Sequence, residues 1–235
     1  MAKVVALIDC RLGLEVARYL ERRGELLGLI LHPSSQRNYI DEQHIHGFKC
    51  WTTTWPHGLK ETLQSHPDYL LSVQFGFRIT KEWLEIPNCV PLNVHPGYLP
   101  DNRGRAPTAW PIMDGSRAGV TLHIMTEEFD AGPYLAREEV PVYPEDTGDT
   151  LWERVEAAAF CMFKYNWPKV DKIEPTPQER GGAYHSLSDI VNVSLTEAEL
   201  GTIDKLRARV YHGRGLRIIR DGHAYEVTVN ISKSD

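Results

Sequence analysis

Short apolar runs separated by amphipathic stretches set the rhythm of the first two-thirds of the chain. Val4–Ile8 is an unbroken apolar run rich in β-branched residues, the pattern of a buried strand. From Leu12 to Arg23 the apolar residues recur at helical spacing, with Leu12, Val16, Tyr19 and Leu20 near one face, and Gly24 stops the helix. Leu26–Leu31 is a second apolar run. A strand–helix–strand opening of this length predicts a parallel α/β sheet. Asp9-Cys10-Arg11-Leu12-Gly13 follows the first strand where a dinucleotide-binding protein would carry Gly-x-Gly-x-x-Gly, so that fingerprint is absent.

The alternation continues. Residues 38–46 fit a short helix, Trp51–Trp55 a β-prone or loop segment, Gly58–Ser65 a helix and Asp68–Val73 a strand. Thr80 is placed as the N-cap of a helix over Lys81–Glu85. Val90–Val94 predicts a strand stopped by Pro96 and Gly97, and Ala106–Met113 a helix ending at Gly115. Gly119–Met125 and Tyr134–Val140 follow as strands. Asp149–Lys164 has the strongest helical pattern, with Leu151, Val155, Ala158, Ala159 and Met162 on one side. From Trp167 to Gly182 the period disappears under three prolines and a Gly-Gly. Beyond this break, Thr196-Glu197-Ala198-Glu199 reads as a capping box opening a helix to about Arg209. Leu216–Arg220, Asp221-Gly222 and His223–Ile231 read as a hairpin, with Tyr225, Val227, Val229 and Ile231 on one face.

The expected class is therefore α/β, an open, mostly parallel twisted sheet with helices on both faces, plus a small C-terminal helix and β-hairpin. Residues 1–166 form the expected main domain, 167–183 a linker and 184–235 the small region. A lone hairpin is marginal in water, so its apolar face must pack on the main domain or on another subunit.

Composition narrows the partners. Of 235 residues, 25% are charged and 42% hydrophobic, ordinary for a globular protein. A formal net charge of -6 gives no footing for nucleic acid as a partner. No apolar run is long enough to cross a bilayer, and Asp9 and Arg11 interrupt the N-terminal one, which reads as a strand and not a signal peptide. Cys10, Cys50, Cys89 and Cys161 are scattered without a Cys-x-x-Cys, as reduced thiols in a cytoplasm would be. His44 and His46 lack a Cys or carboxylate to complete a metal site, so they read as surface histidines and no metal is expected.

The chemistry concentrates after the strand at Val90–Val94. Asn93 and His95 are two apart, so on an extended segment both point to one side. A donating amide beside an imidazole suits a reaction in which a carbonyl oxygen gains negative charge while an amine loses a proton. Pro96-Gly97 and then Arg103-Gly104 make a long loop where a ligand can sit, and Asp130 stands just before a Gly132-Pro133 turn. Ligands of open α/β sheets bind beyond the carboxyl ends of strands, which makes His32, Ser34 and Arg37 candidates on the substrate side, with a solvated loop the alternative.

Asn93-x-His95-Pro96, the Leu99-Pro100…Arg103-Gly104 loop, the Gly119-Val120-Thr121-Leu122-His123 strand and Asp130 before Gly-Pro together resemble the folate-dependent formyltransferase family. His95-Pro96-Gly97-Tyr98, Asn102-Arg103-Gly104 and Glu139-Val140-Pro141-Val142-Tyr143 look most like its sugar N-formyltransferases. The resemblance covers residues 65–165 best. It implies transfer of a formyl group from N10-formyltetrahydrofolate, as co-substrate, to the amine of a nucleotide-linked, dTDP-linked amino-dideoxy sugar, as in lipopolysaccharide or glycan biosynthesis. Another amine, in glycinamide ribonucleotide or methionyl-tRNA, and a non-catalytic folate-binding module are the alternatives. It further implies Asn93 as donor to the oxyanion, His95 as base or charged stabiliser, and Asp130 as the group that orients His95. Phe75, Gly76, Phe77, Arg78, Ile79 and Asp130 would line the folate site; His32, Tyr98, Arg103, Gly104 and Arg105 the substrate site. No Gly-x-Ser-x-Gly is present, so direct transfer is expected. A homodimer through the C-terminal hairpin, with no nucleic-acid or membrane partner, completes the expectation.

Overall fold

All five residues of Val4–Ile8 are buried, as a strand covered on both faces must be. This strand, β1, is an interior strand of the sheet. The structure, a computed structural model, describes residues 1–31, 40, 42–49, 51–143, 146–179, 181–186, 188–189, 202–208, 216–220 and 223–227. The elements run α1 (Arg11–Arg22), β2 (Leu26–Leu31), α2 (Glu42–Ile45), β3 (Trp51–Thr54), α3 (Leu59–Ser65), β4 (Tyr69–Val73), α4 (Lys81–Leu84) and β5 (Val90–His95). They continue with β6 (Arg103–Gly104), α5 (Ala109–Asp114), β7 (Ala118–Ile124), β8 (Tyr134–Val140), α6 (Gly148–Asn166) and a 3-10 turn at Trp167–Lys172. Last come β9 (Tyr184–His185), α7 (Thr202–Ala208), β10 (Leu216–Arg220) and β11 (His223–Val227).

Among the described residues seven strands form one sheet in the order β3-β2-β1-β4-β5-β7-β8. The pairs β2–β3, β1–β2, β1–β4 and β4–β5 are parallel and β5–β7 is antiparallel. The mostly parallel α/β architecture expected above is thus present. β2 and β3 extend to one side of β1, and β4 and β5 to the other. The strand order therefore switches direction between β1 and β4, the place where open α/β sheets bind ligands.

The chain divides into two compact units that interleave along the sequence. The first holds 1–95, 121–136 and 160–177; the second holds 96–120, 137–159 and 178–235. In the first unit, Val5, Leu7, Ile30, Leu70, Trp55, Trp83 and Ile86 share one buried cluster. Burying each such side chain contributes roughly 1.5–3 kcal/mol. Trp167, at the expected linker, is buried: its ring stacks on Phe163 and its Nε1 donates to Glu25 Oε2 at 2.8 Å. Burial pushes the Glu25 carboxyl up, but bonds from Arg23 and Trp167 outweigh it and hold the group below its ordinary value. A proline and glycine count hides this, because the anchoring contact is with a residue far away in sequence.

The second unit has its own core of Ala109, Ile112, Ala118, Val140, Leu151 and Val155, and Ala208 of α7 belongs to it. β6 pairs in parallel with β9, an association no local pattern announces. β10 and β11 pair antiparallel from Leu216↔Val227 to Arg220↔His223, as the hairpin reading expected. Residues 196–199, Asp221-Gly222 and 228–231 lie outside the described residues. No helix among the described residues is long and apolar enough to cross a membrane.

Candidate active site

β5 carries polar and apolar residues alternately. Leu92 and Val94 are fully buried on one face, and Asn93 and His95 take the other at its carboxyl end. β7 lies antiparallel beside it, with Asn93 opposite His123 and His95 opposite Thr121. Residues opposite one another on paired strands share a face. The Asn93 Nδ2 accordingly sits 3.2 Å from His123 Nε2, and His123 Nδ1 sits 3.0 Å from the Ile124 carbonyl oxygen. A carbonyl only accepts, so Nδ1 donates to it, and Nε2 lies against the Asn93 amide. One of the two Asn93 N–H groups is thereby committed, the carboxamide is oriented, and the second N–H can serve a ligand.

Asp130 arrives on the loop after β7. Its φ of 51° is left-handed, a conformation Asp adopts more readily than most residues. At Gly132 a Cβ would overlap the Ile124 carbonyl oxygen, so only glycine lets the chain turn back here. The turn places Asp130 Oδ1 3.6 Å from His95 Nδ1 and 3.5 Å from His123 Nε2. Both rings are buried, with the His95 side chain 5% and the Asp130 side chain 14% exposed. In that setting a charge acts more strongly than in water. His95 turns Nδ1 to the carboxylate, which makes Nε2 the atom that can exchange a proton with a substrate. The arrangement can thus offer an amide donor and a carboxylate-oriented imidazole from one sheet end.

The loop after β4 supplies an apolar wall in the same unit. Phe75 packs edge-on to Trp55 at 5.4 Å between ring centroids, and Phe77 stacks on Trp55 at 6.5 Å. Phe75 and Ile79 pack against the cluster containing Trp83. Arg78 lies over the Phe129 ring at 5.3 Å, tying this loop to the one bearing Asp130.

A family model described as formyl transferase matches residues 46–163. The chain belongs to the formyl transferase family. A methionyl-tRNA formyltransferase of Ehrlichia ruminantium is 27% identical over 203 residues, 80% of this chain and 66% of that protein. The chain spans between about two-fifths and two-thirds of the curated relatives it matches. Among solved structures, a sugar N-formyltransferase from a Shewanella strain superposes with a TM-score of 0.85 at 20% identity, covering all of both chains. An N-formyltransferase from Helicobacter canadensis, in complex with folinic acid and dTDP-3-aminofucose, superposes with a TM-score of 0.77 at 19% identity, over 90% of this chain and 81% of that one.

Set within this formyltransferase fold, the expected residues fall into two groups. Asn93, His95, Asp130 and Phe75 to Ile79 all belong to the first unit, and the first three are brought together around His123. Tyr98, Arg103, Gly104 and Arg105 belong to the second unit, where each has local work. The Tyr98 ring lies 4.4 Å from the Arg117 guanidinium and 4.7 Å from that of Arg137. Arg117 pairs with Asp101 at 2.7 Å, and Arg137 holds the exposed Glu179 carboxyl at about 2. Arg103 and Gly104 form β6, and a Cβ on Gly104 would overlap the His185 carbonyl oxygen. The Arg105 carbonyl accepts from Trp110 Nε1 at 3.0 Å. His32 lies outside the described residues. His44 and His46 are exposed, and among the described residues no group of three or more His, Cys, Asp or Glu is placed to hold a metal. His123 lies in the family motif read from the sequence, which gives it no role; the structure sets it against Asn93 and Asp130. Its signal was a buried strand with polar residues at 121 and 123 between apolar ones at 120, 122 and 124.

Proposed function

We propose that this protein transfers a formyl group from N10-formyltetrahydrofolate to the amino group of a nucleotide-linked, dTDP-linked amino-dideoxy sugar. The observation that carries this reading is the Asp130 carboxylate set between His95 and His123, with Asn93 bonded to His123. As the amine adds to the formyl carbon, charge gathers on the formyl oxygen, and the second Asn93 N–H is a donor for it. His95 Nε2 takes the proton that the amine sheds, with Asp130 holding the ring, and returns it to N10 as the adduct collapses and the bond from the formyl carbon to N10 breaks. The fit to a flat, partly apolar co-substrate is supported by the half-exposed Phe77 ring beside Trp55 and Phe75. The sugar acceptor is supported by the folinic acid and dTDP-3-aminofucose bound in the Helicobacter canadensis structure and by the Shewanella protein being a sugar N-formyltransferase. His32, Tyr98, Arg103, Gly104 and Arg105 are the proposed substrate side. The product would serve a formylated glycan, such as lipopolysaccharide, made from precursors in the cytoplasm.

The curated relatives favour a second reading, methionyl-tRNA as acceptor. Against it stands the net charge of -6, since binding a polyanion draws on clustered Lys and Arg. The test is incubation with formyl-folate and, in separate tubes, dTDP- and GDP-linked amino sugars and methionyl-tRNA. A mass gain of one formyl group on a sugar is expected; formylation of the tRNA alone overturns the sugar assignment. We further propose self-association through β10 and β11, a two-stranded sheet of its own among the described residues. Sedimentation as a dimer is expected, and Val227→Asp with Val229→Asp is expected to give a monomer that still turns over. A native monomer at micromolar concentration would remove this interface.

A further inference from the structure

Gln74 is the first residue beyond β4, and three features set it apart. Its backbone is left-handed, with φ of 52°. A side chain other than Gly, Asn or Asp seldom adopts this region, and holding it there costs about 1–3 kcal/mol. Its amide nitrogen is buried and donates no hydrogen bond among the described residues. Buried donors in folded proteins are nearly always paired, so an unpaired one calls for a physical reason. The third feature is position. Ile8, Val73 and Val94 are level across β1, β4 and β5, so one step further Asp9, Gln74 and His95 form a row at the carboxyl ends of the strands. Gln74 thus stands at the switch between β1 and β4, one strand from His95, in a sheet whose ligands are expected there.

Strain and an unmet donor both destabilise the free protein, so a ligand that satisfies the donor recovers what folding forgoes. The ligand atom must be an acceptor oxygen. Gln74 is followed directly by Phe75 and Phe77, whose rings with Trp55 make the aromatic wall of this unit. A single donor at the root of an aromatic wall fits a flat heteroaromatic ring with a carbonyl on its edge better than a sugar rich in hydroxyls. We propose that the Gln74 side-chain amide donates a hydrogen bond to a carbonyl oxygen on the ring system of the formyl donor, positioning it against His95. This rests on the formyl-transfer reading above. Gln74 acts through orientation, as a positioning residue; the proton and the developing charge stay with His95 and Asn93.

The experiment measures two quantities on wild type, Gln74→Met and Gln74→Gly: the Kd for 5-formyltetrahydrofolate, a non-transferring probe, by calorimetry, and Tm without ligand. Methionine keeps the length and removes the amide; glycine removes the side chain and suits the positive φ. Both variants are expected to bind the probe roughly three- to ten-fold more weakly, the worth of one neutral hydrogen bond. Both are expected to melt at or above the wild-type Tm, because an unmet buried donor has been removed. A purely structural glutamine would show the reverse, a lower Tm with unchanged Kd. Wild-type Kd in either folded variant overturns the proposal while leaving the formyl-transfer reading standing. Failure of the wild-type protein to bind the probe overturns that reading and this proposal with it.

Discussion

Each of the two units holds an Asn–His pair, and the two pairs are built for opposite ends. In the first unit Asn93 donates to His123, and the Asp130 carboxylate lies within 3.6 Å of both His95 and His123. In the second, Asn102 Oδ1 sits 3.2 Å from His185 Nε2, and the His185 ring lies flat on Trp110, with centroids 3.7 Å apart and planes 10° from parallel. Burial dominates at His185 and lowers its pKa despite the more distant Asp114 and Asp189. A neutral, stacked imidazole is a packing element; an imidazole beside a carboxylate at a strand end is the one the proposed reaction uses to carry a proton. The residue types are the same. The neighbours decide, and an isolated Asn or His in a sequence does not reveal which neighbours it will have.

The sharpest way to break this contrast is to remove the carboxylate pair. His95→Asn and Asp130→Asn are each expected to reduce turnover to near background while circular dichroism stays that of the native fold. The double variant should be scarcely worse than either single one, because residues that act as a unit are not independent. Multiplying losses in the double variant would show that Asp130 does not work through His95.

A smaller effect is expected at the amide. Asn93→Ala should lower kcat by roughly 10²–10³, the usual loss for one oxyanion donor, with little change in KM. Turnover like that of wild type would take Asn93 out of the mechanism. Asn102→Ala is the control in the other unit: its side chain bonds Ser116 and His185, so the loss should appear in Tm.

The smallest expected effect concerns pH. The pKa of His185 is depressed in the folded chain from its ordinary 6.5, so the unfolded chain takes up the proton first as pH falls. The neutral ring's contribution is present above pH 6.5 and is lost as pH drops through the folded value. The Tm advantage of wild type over His185→Gln should therefore shrink between pH 7 and pH 5. A constant difference would mean that His185 titrates alike in both states.

Much of this was legible in the chain itself. Val4–Ile8, Leu26–Leu31 and Tyr69–Val73 are strands because short, mostly apolar runs bounded by turn residues have few other ways to be buried, and the Asn93-x-His95 spacing alone puts both side chains on one face. Gly132 could be suspected from its place in a turn. These are local properties, set by the geometry of a few consecutive residues. Tertiary structure decided what depends on register and distant contact. The antiparallel pairing of β5 with β7 set His123 opposite Asn93 and so made an orienting partner of a strand residue. Glu25 drew Trp167 into the core from a stretch that composition marked as a break. Ala183 and His185 accept hydrogen bonds from the loop at Arg103 and Arg105, joining segments about eighty residues apart, an interval local pattern does not span. The alignment of β1, β4 and β5 brought Asp9, Gln74 and His95 into one row. A side chain's periodicity is written within a turn or two of backbone, whereas its partner is chosen by how whole strands slide past one another, and a shift of one residue there would turn the face carrying Asn93 and His95 away.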